Sequence, residues 1–146
     1  MPCIPSLGEG QWAKTKNKME IKELLDVIVE CAKRVRSALT PGFEEQVYHN
    51  AMMIELKESG VAAEKEASFQ VYYKNQVVGS YRADIIVDRR VIVELKAVSA
   101  LLPIHEVQLV NYLTATGIND GLLINFGSDR IEIRHRTRIY HPKSSV

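Results

Sequence analysis

Two strongly apolar runs, Ala83-Asp84-Ile85-Ile86-Val87 and Val91-Ile92-Val93-Glu94-Leu95-Lys96, are separated only by Asp88-Arg89-Arg90 and are interrupted by charge. Runs of β-branched residues bounded by a short polar turn read as a β-hairpin. With Asp88 to Arg90 as a three-residue loop, Val87 pairs with Val91 and Asp84 falls opposite Glu94. Lys96, two residues on, projects from the same face as Glu94. Facing carboxylates destabilise a sheet, and apolar neighbours sharpen the repulsion by lowering the local dielectric. A divalent cation removes the conflict, because hard cations such as Mg²⁺ seek carboxylate oxygens. The nearby ammonium can then orient or activate a water. The competing reading is an Asp84–Lys96 ion pair with Glu94 at a solvated strand end. Charged side chains are rare inside runs this apolar unless paired or liganded, which favours a metal-dependent phosphodiesterase site.

The rest of the chain supplies a frame for this hairpin. From Glu20 to Leu39, Ile21, Leu24, Leu25, Ile28, Val29, Ala32 and Val35 recur at helical spacing. Thr40-Pro41-Gly42 breaks that helix, and Thr40 as N-cap with Pro41 at the first position starts a second one, which ends at Ser59-Gly60. Phe69, Val71 and Tyr73 alternate with polar neighbours as a strand, and Lys74-Asn75-Gln76 turns into the strand carrying Asp84. A third helix runs from about Ile104 to Thr116 and stops at Gly117. A buried strand over Gly121 to Gly127 follows, then a last strand from Arg130 to Tyr140. The expected order is helix, helix, three antiparallel strands, helix, strand, strand. The late helix acts as a crossover that lets the next strand join in parallel.

Residues 1–18 carry Pro, Gly and Lys without periodicity and read as a flexible arm, with Met19 an alternative start. Residues 19–141 read as a single domain and 142–146 as a short tail. With 46% hydrophobic and 25% charged residues, the composition is that of a soluble globular protein. No apolar run reaches the roughly 18 residues of a membrane span, and the first residues lack a signal peptide's apolar core. Cys3 and Cys31 form neither a metal-ligand spacing nor a disulfide framework; free thiols in a reducing cytoplasm are expected. The net charge of +1 gives no global attraction to nucleic acid, so any affinity must come from local patches.

Other constellations are weaker by themselves. Glu45 and Tyr48 share one face at the start of the second helix, which makes Glu45 a third carboxylate only in company with the hairpin. Gln108 and Tyr112 share a face at i, i+4 on the third helix; they fit phosphate contact and base stacking, or an ordinary solvated face. Arg130, Arg134, Arg136 and Arg138 suit a phosphate backbone or a charged edge that resists aggregation. His49, His105, His135 and His141 show no ligand spacing, and no phosphate-binding loop or nucleophile elbow is present.

Taken in order, these motifs resemble the PD-(D/E)XK nucleases, through Asp84 … Glu94-Leu95-Lys96. Gly42-x-x-Glu45-x-x-Tyr48 is similar to the GxxExxY family within that superfamily, and Gln108-x-x-x-Tyr112 resembles the QxxxY helix of RecB-type nucleases. Ala83 stands where the superfamily's name has Pro. The resemblance covers roughly Ile21 to Arg138. It implies an α/β (α+β) fold with a helix, three-stranded antiparallel meander, helix and strand, forming a mixed central sheet flanked by helices. It implies Mg²⁺ or Mn²⁺ held by Asp84, Glu94, the Leu95 carbonyl and Glu45, with Lys96 and Gln108 assisting and Tyr48, Gln108 and Tyr112 meeting substrate. The expected partner is nucleic acid, DNA before RNA, with a protein partner or a second copy as further candidates. A non-catalytic accessory module that binds nucleic acid or protein on the same fold is the alternative reading.

Overall fold

The apolar spacing of the first helix dictates how it packs. α1 (Ile21–Ala38) buries Leu24, Ile28, Cys31, Ala32 and Val35 as one stripe. The structure is a computed structural model and describes residues 19–138. The expected N-terminal arm, the end of the last expected strand with Tyr140, and the tail lie outside the described residues. α2 (Glu45–Glu58) buries Tyr48, His49, Met52 and Leu56. This helix starts later than the sequence suggests, because Thr40-Pro41-Gly42 forms a turn rather than its first residues. Gly42 takes φ +115°, a conformation that disfavours any residue with a Cβ. The Tyr48 hydroxyl closes the turn, donating to the Thr40 carbonyl at 2.6 Å and accepting the Phe43 N–H at 3.2 Å.

The strands are β1 (Ala63–Tyr73), β2 (Gln76–Val87), β3 (Val91–Lys96), β4 (Asp120–Asn125) and β5 (Glu132–Thr137), with α3 (Pro103–Thr116) between β3 and β4. They form one sheet in the order β1-β2-β3-β4-β5. Only β3 and β4 are parallel, because α3 carries the chain back across the sheet. Pro103 opens α3 and Gly117, at φ +76°, closes it. His105 serves this helix start: its Nδ1 accepts the Leu102 N–H at 3.0 Å.

Both faces of the sheet are covered, so its central strands are apolar throughout. α1 and α2 pack against Ile85, Val87, Val91, Val93, Leu122 and Ile124. On the opposite face Leu109 and Leu113 of α3 meet Ile86, Ile92 and Leu123. This is the expected α+β arrangement, a five-stranded mixed sheet flanked by helices. The last strand is shorter than expected, and its arginines are tied to the protein. Arg134 pairs with Glu132 at 3.6 Å, Arg136 binds Glu106, and Arg138 donates to Asn119 at 3.0 Å. Three of the four arginines singled out in the sequence are thus engaged by the protein's own groups.

Candidate active site at a break in the sheet

A tight turn fixes the register of the carboxylate hairpin. Arg90 N–H reaches the Val87 carbonyl at 2.9 Å, with positive φ at Asp88 and Arg89. Val87 pairs with Val91 across the three-residue loop Asp88 to Arg90, and the ladder continues through Ile86–Ile92 and Ile85–Val93. There it stops. Where the next rung would join Asp84 to Glu94, the Asp84 N–H donates to Glu94 Oε1 at 3.3 Å and the Leu95 N–H to Asp84 Oδ2 at 2.8 Å. Each carboxylate crosses the gap to the other strand's backbone.

The ladder on the other side breaks at the same level. β1 pairs Lys65 with Ile85 and Ala67 with Ala83 but skips Glu66, which has φ +55°. Ala83 belongs to the apolar cluster beneath α3, whereas Ile85 belongs to the one beneath α1 and α2. Residues two apart in a regular strand share a face, so β2 rolls at Asp84. That roll leaves the Asp84 side chain half-buried between two interrupted ladders.

The electrostatics of this gap are strained. Burial, and then the charge of Asp84, push the Glu94 carboxyl up to about 8; the Tyr81 hydroxyl, the Asp84 N–H and Lys96 pull the other way without cancelling them. Glu45, at the first turn of α2, is also raised, by desolvation of its carboxyl and then by Asp84, against an opposing pull from Lys96. Glu45, Asp84, Glu94 and Lys96 thus share one electrostatic neighbourhood. Among the described residues no ion pair joins Asp84 to Lys96, so the structural ion-pair reading has no support. Nor do three or more His, Cys, Asp or Glu side chains close a cage of their own among those residues; Glu45 stands outside the Asp84–Glu94 pair.

Tyr81 is a site residue that sequence reasoning missed. Its hydroxyl donates to Glu94 Oε1, and its ring stacks between Phe69, at 5.4 Å between centroids, and Tyr112, at 3.3 Å. Burial and then the Glu94 charge raise its pKa. Tyr112 is raised too, by burial and then by Glu94 and Asp84. A strict period of two puts Tyr81 and Asp84 on opposite faces; the roll brings both to Glu94. Gln108, one turn before Tyr112, is exposed, and none of the hydrogen bonds among the described residues links it to the carboxylates. Tyr48 corrects an expectation: it is fully buried, stacked on Phe126 at 4.8 Å, and offers a substrate no surface.

A second polar cluster, also unforeseen, holds the loop that leaves Lys96. Asn125 is fully buried in β4. Its Oδ1 accepts the Val98 and Gly127 N–H groups at 3.0 and 3.1 Å, and its Nδ2 donates to the Val98 carbonyl and to Glu132 Oε1, both at 2.9 Å. Glu132 Oε1 also accepts the Leu101 N–H at 3.0 Å, and its pKa is lowered, first by the Asn125 bond. At Gly127 a Cβ would lie 2.5 Å from the backbone of Ala97 and Val98, so only glycine lets the two segments meet. An open cleft of about 570 Å³ lies beside this clamp, lined by Ser99, Ser128, Arg130 and Glu132 among others, but not by the carboxylate pair. The available signal was Asn125 itself, a polar residue inside the apolar run Leu122 to Phe126.

Comparison with known proteins bears on this geometry. The sequence model of the PD-(D/E)XK nuclease superfamily matches residues 22–137. No curated protein matches. Among solved structures, the crystal structure of SSO0001 superposes with a TM-score of 0.55 at 23% identity, covering 66% of this chain and 52% of that one. The chain thus spans about half the length of that protein, and at this identity the likeness speaks for the fold alone. Among the described residues no helix is long and apolar enough to cross a membrane.

Proposed function

Because the chain belongs to the PD-(D/E)XK nuclease superfamily, we propose that it hydrolyses phosphodiester bonds, in DNA in preference to RNA, at the Asp84–Glu94 break in the sheet. Nucleases of this superfamily generally use divalent metals and act on nucleic acid. The observation that carries the reading is the cross-bonded carboxylate pair, with Glu94 pushed up to about 8 by burial and by Asp84. Mg²⁺ or Mn²⁺ would relieve that contact, and the donors fit such an ion. Asp84, Glu94 and the Leu95 carbonyl would hold it, leaving positions for water and phosphate oxygens, as Mg²⁺ prefers. Glu45, which feels the charge of Asp84, would add a further carboxylate to that neighbourhood. When bound, the ion supplies Lewis acidity and lowers the pKa of its water.

The chain's own residues then have distinct tasks. Tyr81 fixes the Glu94 carboxylate through its hydroxyl. Lys96 donates hydrogen bonds to the attacking water and to charge developing on the phosphoryl oxygens. Gln108 and Tyr112 present α3 to the substrate, Gln108 assisting at the phosphate and Tyr112 acting through its stack on Tyr81. The narrower assignment to the GxxExxY family is supported by three separate roles: Gly42 makes the turn, Glu45 feels the charge of Asp84, and Tyr48 anchors the turn to the core. The buried free thiol of Cys31 suits a reducing cytoplasm.

Incubation with linear, circular and single-stranded DNA and with RNA, with and without Mg²⁺ or Mn²⁺, tests the reading. Ion-dependent cleavage that Asp84→Asn abolishes supports it. Binding without cleavage across the whole panel, with either ion, would replace it by an accessory binding module.

A further inference from the structure

β1 and β2 have 11 and 12 residues against 6 in β3, and β3 takes up only Ile85 to Val87 of its neighbour. The rest of β1 and β2 pairs as a two-stranded ribbon. Its base is held under α3 by Ala67, Phe69 and Ala83. Beyond Phe69 and Tyr81 every residue is exposed except half-buried Val71. At about 3.3 Å per residue, Gln76 stands roughly 16 Å beyond Tyr81. A lone two-stranded ribbon is marginal in water, yet this one also exposes Tyr73, Val77 and Val78 by 64%, 52% and 61%. Neither core cluster of the described residues takes up these three side chains, with Tyr73 on one face of the ribbon and Val77 on the other, and exposed apolar side chains grouped in this way mark a contact site.

Its chemistry is one-sided. Ala67 to Ala83 is the longest stretch of the chain without Asp or Glu, and Lys74 and Arg82 are its only charges. Lys74 and Asn75 form a two-residue turn at the tip, both at positive φ. The Lys74 ammonium sits 5.5 Å from the Tyr73 ring centroid, and Gln76 adds a side-chain amide. A major groove admits a two-stranded ribbon, and Asn and Gln amides match the edge of adenine there. Phosphates attract the lysine. Two such ribbons facing each other would set lysine and arginine together with no acid between them, which disfavours a second copy as occupant.

We propose that the β1–β2 ribbon is a DNA-contacting arm, its tip seated in the groove of a duplex whose scissile strand lies at the Asp84–Glu94 break. The inference rests on the nuclease reading above and adds where the substrate runs, since β2 leads directly from the tip to Asp84. The test uses the full chain and a labelled duplex, with binding measured in Ca²⁺ across a salt series and cleavage measured in Mg²⁺ or Mn²⁺. Lys74→Asn keeps a residue that tolerates positive φ and should lower the salt slope by about one. Tyr73→Ala should weaken binding about tenfold. Both should keep the wild-type melting temperature and the wild-type turnover at saturating DNA. If both variants bind like wild type, the arm is overturned, while wild-type cleavage leaves the nuclease reading standing. If wild type binds through the arm but cleaves nothing, the arm stands and the nuclease reading fails. Absence of duplex binding by wild type, or a dimer that Tyr73→Ala converts to monomer, also overturns the arm.

Discussion

Glu94 and Glu132 are both held by the backbone near a strand end, yet the protein treats them in opposite ways. Around Glu132 each donor has an acceptor: the Leu101 N–H and the Asn125 amide converge on one oxygen, and the carboxyl is held below its ordinary range. Around Glu94 a second carboxylate stands where a donor would suit, and burial with that charge pushes it up to about 8. The first cluster completes itself with atoms of the protein. The second sets two carboxylates against each other, and burial with that charge favours the protonated form of Glu94. A buried carboxyl raised by desolvation and by a like charge is a candidate functional group, whereas one lowered by hydrogen bonds is held by them.

Breaking each cluster should have different consequences. The largest expected effect is on catalysis: Lys96→Ala should lower cleavage on the order of 10²-fold or more while leaving ion-induced stabilisation intact, and Asp84→Asn should lose both. Calorimetry with and without Mn²⁺ beside the cleavage assay checks this; cleavage by Lys96→Ala at the wild-type rate would remove Lys96 from the mechanism. Next, Asn125→Ala should cost about 3 kcal/mol of stability, because it orphans buried groups at Val98 and Gly127, which denaturant unfolding measures. Glu94→Gln should do the reverse and raise the melting temperature of the metal-free protein by a few degrees at pH 8.

The pH dependence follows from the same carboxyl. In the folded state Glu94 holds its proton up to about 8, against an ordinary value of 4.5. Its contribution to stability is full below the ordinary value and is lost as pH rises through the folded one. Metal-free melting temperature should therefore fall between about pH 5 and 8, and Mn²⁺ should blunt the fall. The same proton competes with the ion, so ion affinity should rise with pH. The smallest effect is expected from Tyr81→Phe, about 1 kcal/mol. The lost hydrogen bond favoured the charged form, so the acid limb of the cleavage profile should move to higher pH. A limb that stays put would separate Tyr81 from the function of Glu94.

Local sequence carried the register of the hairpin, because β-branched runs and a short turn leave one pairing that buries both faces. It also carried the limits of α3, through Pro103 and Gly117. The roll at Asp84 was not legible, since it arises where two ladders fail together. The Tyr81–Tyr112 stack was equally hidden, because it joins residues brought together only when α3 folds over the sheet. Tyr48 was misread although a signal existed: Tyr48, Met52 and Leu56 recur every four residues and mark a buried stripe. Thr40 and Pro41 imitate a helix start, but Gly42 needs a conformation that no helix can use.

The parallel pairing of β3 with β4 also orders events in time. Asp84 and Glu94 meet across 10 residues of chain, whereas Asn125 reaches Val98 across 27, and only after α3 has crossed the sheet. Contacts closed over short loops form quickly, and crossover pairings are slow. A nascent chain therefore brings its two carboxylates together before the clamp that steadies Lys96 exists, and divalent ions in a refolding mixture would meet the hairpin before they meet the finished sheet.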